Sequence, residues 1–423
     1  MRLFNRLFRR NVTIESLPSN IVFLLGSGIS YGAGMPSVET ITKHVLHRGK
    51  PIVYNPDHGF YCFEDMVRKD RYIPDFGYVR RIVEFLERLE QEINAYYTYY
   101  KEAELLIRKA NYEDIYFLAS QIHDSAIHEY DNPAILSLIK NITPDIHQAL
   151  SGIQDQDRPE HPWSIEQLAD EGMKYIRHIL WCFLSNIDDS VDLGYLDLFA
   201  QAVADRDLRS IDFFTLNNDA VFEQYLRQRK IEYFDGFSQG TDGKFWWNTT
   251  LFLQTTKPRI RLLKLHGSVN WYTDQHFGKG SKSIEKVDGA ALPYIWRDLP
   301  EKAEPVFLAG TLNKMLDYTT EVFSLLQSEW FRSLYQSDVL VICGYGFNDK
   351  GINTRIVEWF NFSTNKILVV IDPSKDIIQK ARPALGGLLA RAETELRIQI
   401  IQKPLQEAKW HEARQAILNQ MPD

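Results

Sequence analysis

Residues Ile21 to Ser37 read IVFLLGSGISYGAGMPS. The apolar run Ile21-Val22-Phe23-Leu24-Leu25 has the length and bounding glycine of a strand buried on both faces, and it empties into Gly26, Gly28, Gly32 and Gly34. Glycines after a buried strand let a backbone approach a ligand closely, and a helix that follows offers unpaired N–H groups to an anion. One reading of the turn is a seat for a cofactor phosphate. The other is a tight strand-to-helix connection with no ligand.

Four further segments repeat the plan of an apolar strand ending in polar or small residues. Ile211-Asp212-Phe213-Phe214 runs into Thr215-Leu216-Asn217-Asn218-Asp219, and a helical pattern starts at Ala220. Polar residues at a strand's carboxyl end face the crevice where open α/β sheets bind ligands, although Asn218 or Asp219 also suits the cap of the helix that follows. Arg259 to Leu265 is a strand ending at His266-Gly267-Ser268, with Asn270-Trp271 beyond. Asp338 to Cys343 empties into Gly344-Tyr345-Gly346-Phe347-Asn348-Asp349, and Lys366 to Ile371 ends in Asp372-Pro373-Ser374, which is also a plain turn sequence. The tail from Gln399 reads as a terminal strand and helix covering the sheet. Asp235-Gly236 and Thr241-Asp242-Gly243, with Phe245-Trp246-Trp247, read as a hairpin or loop.

Between the first two strands the chain is too long for one crossover helix. Residues 40–190 repeat apolar residues at helical spacing, as in Tyr78 to Leu86 and Ile115 to Leu118, and Asn111-Tyr112-Glu113-Asp114 supplies acidic residues to a helix start. The block reads as an inserted helical module broken near Gly152, Arg158, Pro159 and Pro162. Its tyrosines, Tyr96, Tyr97, Tyr99 and Tyr100, suit packing or an oligomer surface better than base stacking, since few basic residues interleave them. The expected fold class is α/β, a Rossmann-like parallel sheet over residues 21–39 and 191–423 with this insert.

Bulk properties narrow the class. The 423 residues are 44% hydrophobic and 25% charged, which suits a soluble globular protein. A net charge of −8 disfavours direct nucleic-acid binding. The three cysteines, Cys62, Cys182 and Cys343, are too few and too scattered for a disulfide framework and suit a cytoplasmic location. Residues 1–20 open with a basic amphipathic segment, Met1 to Arg10, without a signal-peptide core; docking on a partner subunit is the expectation, with a frayed end as the alternative. No run has transmembrane length without charges, so no membrane is expected.

Gly26-Ser27-Gly28-Ile29-Ser30 followed by Ala33-Gly34-Met35-Pro36-Ser37 resembles the sirtuin fingerprint, Gly-Ala-Gly-Ile-Ser with Ala-Gly-Ile-Pro. Thr215-Leu216-Asn217-Asn218-Asp219 matches that family's Thr-Gln-Asn-Ile-Asp at three positions, and His266-Gly267 stands at its catalytic pair. Gly344 matches the first residue of its Gly-Thr-Ser turn, while Tyr345 and Gly346 depart from it and leave NAD+ against NADP+ open. The resemblance covers roughly Ile21 to Ser374. It implies that Gly26, Ser27, Gly28, Ser30 and Pro36 hold the cofactor pyrophosphate side, that Gly344, Tyr345 and Gly346 meet ribose and phosphates, and that Asp372 meets adenosine. Thr215 and Asp219 belong to the same cofactor set, with Asp219 on the nicotinamide amide. Asn217 and His266 are the implied catalytic pair, the first orienting water and the second acting as general base or polarising a ribose hydroxyl.

The departures matter as much. Between His266 and Gly344 the one cysteine is Cys343, so the four-cysteine zinc ribbon of deacylating sirtuins is missing and no metal is expected. Ser37-Val38-Glu39 replaces the family's Asp-Phe-Arg. Without an acyl-lysine, water is the default acceptor and NAD+ is hydrolysed to nicotinamide and ADP-ribose. The ribbon-less branch resembles NAD-depleting effectors of bacterial anti-phage defence, triggered by self-assembly as a homo-oligomer or by a partner such as a HerA-type DNA-translocating ATPase or a short Argonaute. A protein deacylase or ADP-ribosyltransferase, and a non-catalytic NAD or ADP-ribose sensor, are the alternatives.

Overall fold

A computed structural model describes residues 17–420 except 56–58, 67–75, 102–108, 129–131, 151–162, 186, 189, 255, 275–282, 288–304, 311–317 and 319–320. Residues 1–10 of the basic segment and the break at 152–162 lie outside the described residues. The chain divides into two compact units: one takes residues up to Gly34, Asp188–Ser268 and Tyr318 onward, the other Met35–Ile187 and Val269–Asp317.

Six strands organise the first unit: β1 (Asn20–Leu25), β2 (Ser210–Thr215), β3 (Ile260–Lys264), β4 (Val339–Cys343), β5 (Ile367–Ile371) and β6 (Ile398–Ile401). They lie in the order β6-β5-β4-β1-β2-β3, and every adjacent pair is parallel. This is the Rossmann order, in which the chain steps outward from β1 in one direction and from β4 in the other. The strand order therefore reverses between β1 and β4, and a crevice at the carboxyl ends of the strands opens at that point.

Helices on both faces explain the unbroken apolar runs. α1 (Asp197–Ala204) and α5 (Trp410–Leu418) cover one face, where Phe23 stacks on Phe213 with ring centroids 5.1 Å apart and meets Phe199 edge-on at 5.7 Å and Trp410 at 6.0 Å. The next residue along β2, Phe214, points to the opposite face and packs edge-on against Trp330 of α3 (Glu321–Gln336) at 4.9 Å. α2 (Val221–Gln228) follows β2, and α4 (Lys350–Phe362) follows β4.

Register also explains one buried charge. Asp212 of β2 lies directly beside Arg261 of β3. The guanidinium is bidentate on that carboxylate, at 2.7 and 2.5 Å, and donates at 2.5 Å to Glu329 of α3, which Lys257 also reaches at 2.8 Å. Such a pair tolerates burial because each partner is matched and hydrogen-bonded. A hairpin, Phe237–Gln239 against Phe245–Trp247, occupies the expected place between β2 and β3.

The second unit carries helices Val38–Val45, Phe76–Lys101, Tyr112–Ile127, Pro133–Leu150 and Ile165–Leu184. Asn111 accepts from the backbone N–H of Glu113 and Asp114, and the Asp114 carboxylate accepts from Asn111 N–H, a capping box that starts the helix where the acidic residues predicted it. An antiparallel pair, Ile52–Asn55 with Phe60–Phe63, also lies in this unit. Runs of four residues are too short to show a period, so the helical reading of the block does not contain it. Gly267–Asp274 pairs antiparallel with Ser283–Lys286. Among the described residues no helix is long and apolar enough to cross a membrane.

Candidate functional site

The loops after β1 and β4 are pressed together. Gly26 N–H donates to Cys343 O at 3.0 Å and Gly28 N–H to Gly344 O at 2.8 Å. A Cβ on Gly28 would stand 2.7 Å from Gly344 Cα, and one on Gly26 2.6 Å from Gly344 O and Tyr345 Cα. The close approach that demands glycine at these two positions is thus one loop against another at the switch point. Beyond them come two 3-10 turns, Ser27–Ile29 and Tyr31–Ala33, and an α-helix begins only at Val38, in the second unit. Ser27 is exposed and Gly28 half-buried. Tyr195, which the sequence reading does not single out, supports the loop by donating from its hydroxyl to Ile29 O at 2.7 Å, and its ring lies on Gly32.

Ser30, Asn217 and Asp219 form one buried chain of hydrogen bonds. The Asn217 amide donates from Nδ2 to Gly26 O at 3.1 Å and to Ser30 Oγ at 3.0 Å. A carbonyl only accepts, so the Gly26 contact fixes which end of the amide is nitrogen and leaves Oδ1 as the acceptor. Ser30 Oγ donates onward to Asp219 Oδ1 at 3.0 Å, and the same oxygen accepts from Val221 N–H at 3.0 Å. Asp219 therefore serves both the site and the start of α2. Thr215 is buried and its Oγ1 accepts from Asn217 N–H at 3.1 Å, bending the backbone after β2.

Burial raises the Asp219 pKa, and the Lys264 ammonium opposes the rise. Lys264, at the end of β3, donates to Asp219 O at 2.5 Å and to Glu223 Oε1 at 2.7 Å. Neither Lys264 nor Glu223 has a sequence signal of its own, because they meet only when β3 is laid beside β2.

His266 stands two residues beyond Lys264 and is 3% exposed. Its Nδ1 lies 3.1 Å from Leu216 O, which ties the ring to the backbone beside Asn217. Its Nε2 lies 2.7 Å from Tyr318 Oη and 3.2 Å from Asp349 Oδ2. Tyr318 Oη is itself 2.6 Å from Asp349 Oδ2, and Asp349 Oδ1 accepts from Ile352 N–H at 3.0 Å as the N-cap of α4. Burial would raise the Asp349 carboxyl, but the bonds and charge of His266, the Tyr318 hydroxyl and the Ile352 N–H together hold it well below the usual carboxylate range.

The remaining candidates are placed differently. Gly344, with φ +62°, and the Tyr345 backbone form the wall against Gly26 and Gly28, but the Tyr345 side chain turns inward and its hydroxyl bonds Asn353 Oδ1 at 2.8 Å and Asp349 N–H at 3.1 Å. Gly346 is exposed. Asp372, at the end of β5, is half-buried and accepts from Ser374 N–H at 2.8 Å, a turn of its own. Pro36 belongs to the second unit. Among the described residues no group of His, Cys, Asp or Glu is placed to hold a metal ion.

Residues 212–394 match the family model of the SIR2-like domain. That SIR2-like stretch contains Thr215, Asn217, Asp219, His266, Gly344 and Asp349, while the glycine turn that completes the site lies before it in the chain and is brought to it by β1. Similar solved structures include a Sir2 homologue in complex with NAD, 12% identical, with a TM-score of 0.39 over 95% of this chain and 90% of that one. A mutant Sir2 homologue with 2′-O-acetyl ADP-ribose is 12% identical, with a TM-score of 0.37 over 96% and 95%. A mutant Sir2 homologue with ADP-ribose is 10% identical, with a TM-score of 0.36 over 96% and 93%. At that distance the likeness extends to neither ligand nor activity. No curated protein matches the chain in sequence.

Proposed function

We propose that this protein is an NAD+ glycohydrolase, cleaving NAD+ with water to nicotinamide and ADP-ribose. The observation that carries the reading is the Asn217–Ser30–Asp219 chain at the carboxyl ends of β1 and β2, with His266 tied to it through Leu216 O. Cleaving the nicotinamide–ribose bond builds positive charge at the anomeric carbon. The reaction needs a held leaving group, an oriented water and a group that manages the ribose hydroxyls. Both Asn217 amide hydrogens are used inside the protein, so Oδ1 is the atom that orients the attacking water by accepting a hydrogen bond from it. The Asp219 carboxyl holds the nicotinamide amide, and His266 polarises a ribose hydroxyl. The loops meeting at the switch point seat the phosphates.

The role of NAD-depleting effector in anti-phage defence, switched on by a partner or by self-assembly, belongs to the same proposal and rests on the sequence resemblance. The test is incubation of the purified chain with NAD+, with and without lysate of phage-infected cells, following nicotinamide and ADP-ribose by chromatography. Hydrolysis by the wild type and none by His266→Ala is the expected result. Intact NAD+ in every condition, with binding retained, overturns the hydrolase reading.

A further inference from the structure

Three atoms around His266 share too few hydrogens for a neutral ring beside an ionised acid. Nδ1 faces Leu216 O, a pure acceptor, so Nδ1 carries a hydrogen. Nε2, Tyr318 Oη and Asp349 Oδ2 then lie 2.7, 2.6 and 3.2 Å apart. The tyrosine has one hydrogen to give. If it goes to Nε2, Oη and Oδ2 face each other at 2.6 Å with no proton between them unless Asp349 is protonated. If it goes to Asp349, Nε2 must itself be a donor.

The far side of the carboxylate decides between the two. Oδ1 of Asp349 accepts the Ile352 N–H at the start of α4, where the helix end favours an ionised group. The proton therefore sits on the ring. Of the other ionisable groups described near this strand end, Lys264 directs its ammonium to Glu223 and Asp219 O, and the Asp219 carboxylate is bonded to Ser30 and Val221 N–H. Among the described residues Asp349 presents a carboxylate oxygen to the imidazole, 3.2 Å from Nε2.

We infer that Asp349, bridged by Tyr318, is a positioning residue that holds His266 as an imidazolium, so that His266 meets its substrate as a hydrogen-bond donor and not as a base. Its part concerning substrate rests on the glycohydrolase reading; its part concerning the ring does not. Nε2–H is bonded to Tyr318 Oη in this structure, so a ribose hydroxyl oxygen meets this donor by taking the place of Tyr318 Oη, and it is polarised without losing its proton. The sequence segment Gly344 to Asp349 thereby acquires a second purpose besides the switch-point wall: it delivers the counter-ion of a histidine that lies far away in the chain.

The experiment uses the full chain labelled with 15N-histidine, with the His266 resonances assigned by their loss in His266→Gln. Near neutral pH the wild type should show both His266 nitrogens protonated. Asp349→Asn keeps an oxygen for the Ile352 N–H and should return the ring to a neutral form with one protonated nitrogen. Tyr318→Phe leaves the carboxylate and should keep the imidazolium. In NAD+ turnover, Asp349→Asn should lower kcat by about 10- to 100-fold with KM changed less than about twofold, the split expected of a group that orients another. A neutral His266 in the wild type, or an imidazolium that survives Asp349→Asn, overturns the inference. An imidazolium that follows Asp349 in a chain that leaves NAD+ intact supports the assignment of the pair and fails the glycohydrolase reading alone.

Discussion

Replacing Asn217 with alanine removes two hydrogen bonds from the buried chain at the strand ends, those to Gly26 O and Ser30 Oγ. Neither partner is left orphaned. Gly26 O still accepts from Ile29 N–H at 3.1 Å, and Ser30 Oγ still donates to Asp219. The stability cost is therefore that of two exchanged bonds, about 1–3 kcal/mol in all, and not the larger penalty of two stranded polar groups. Against a typical total of about 5–15 kcal/mol the chain stays folded. Activity follows different arithmetic, because the oxygen proposed to orient the attacking water is gone, and kcat for NAD+ cleavage should fall by about 100-fold or more. Urea titration followed by tryptophan fluorescence, alongside nicotinamide release at matched folded fraction, separates the two effects. Activity within about tenfold of the wild type, in a chain destabilised as calculated, refutes the role given to Asn217.

Gly28→Ala should lower stability by about 1–3 kcal/mol, because its Cβ meets Gly344 backbone that cannot rotate aside; an unchanged urea midpoint contradicts the loop-on-loop contact. Arg261→Met should cost about 3–5 kcal/mol by stranding Asp212 in the core, while Glu329 keeps Lys257 and Arg332, and the double change with Asp212→Leu should recover part of it in the same titration. Burial raises Asp219, so the folded state holds its proton above the pH at which the unfolded chain loses it. The wild type should then lose stability relative to Asp219→Asn as pH climbs from the ordinary carboxylate range through the raised value, and urea midpoints that run parallel across that window argue against it.

Much of the scaffold was legible in the sequence because a parallel sheet covered on both faces writes itself as short apolar runs ending in glycine or polar residues. The runs beginning at Ile21, Ile211, Arg259, Asp338 and Lys366 became β1 to β5, and the strand expected in the tail from Gln399 is β6, Ile398–Ile401. The resemblance carried by the glycine turn and by Thr215, Asn217, Asp219 and His266 pointed to residues that the strand ends do bring into one neighbourhood: Ser30, Asn217 and Asp219 bond directly, and His266 joins through a backbone carbonyl. The strand pair Ile52–Asn55 with Phe60–Phe63 was illegible, since four-residue runs carry no period.

Partners were the other thing that periodicity could not supply. Gly26 and Gly28 announced a close approach in the sequence, but only the pairing of β1 with β4 shows that Gly344 is what approaches. Lys264 and Glu223 are ordinary surface-type residues until register places them at Asp219. Asp349 could be read as the start of a helix, and that is half of its role. Its other oxygen faces His266 and Tyr318, 83 and 31 positions away along the chain. Strand-forming preference is local and survives in one sequence. Charge and hydrogen-bond complementarity belong to pairs of residues, and tertiary structure alone decides which pairs exist.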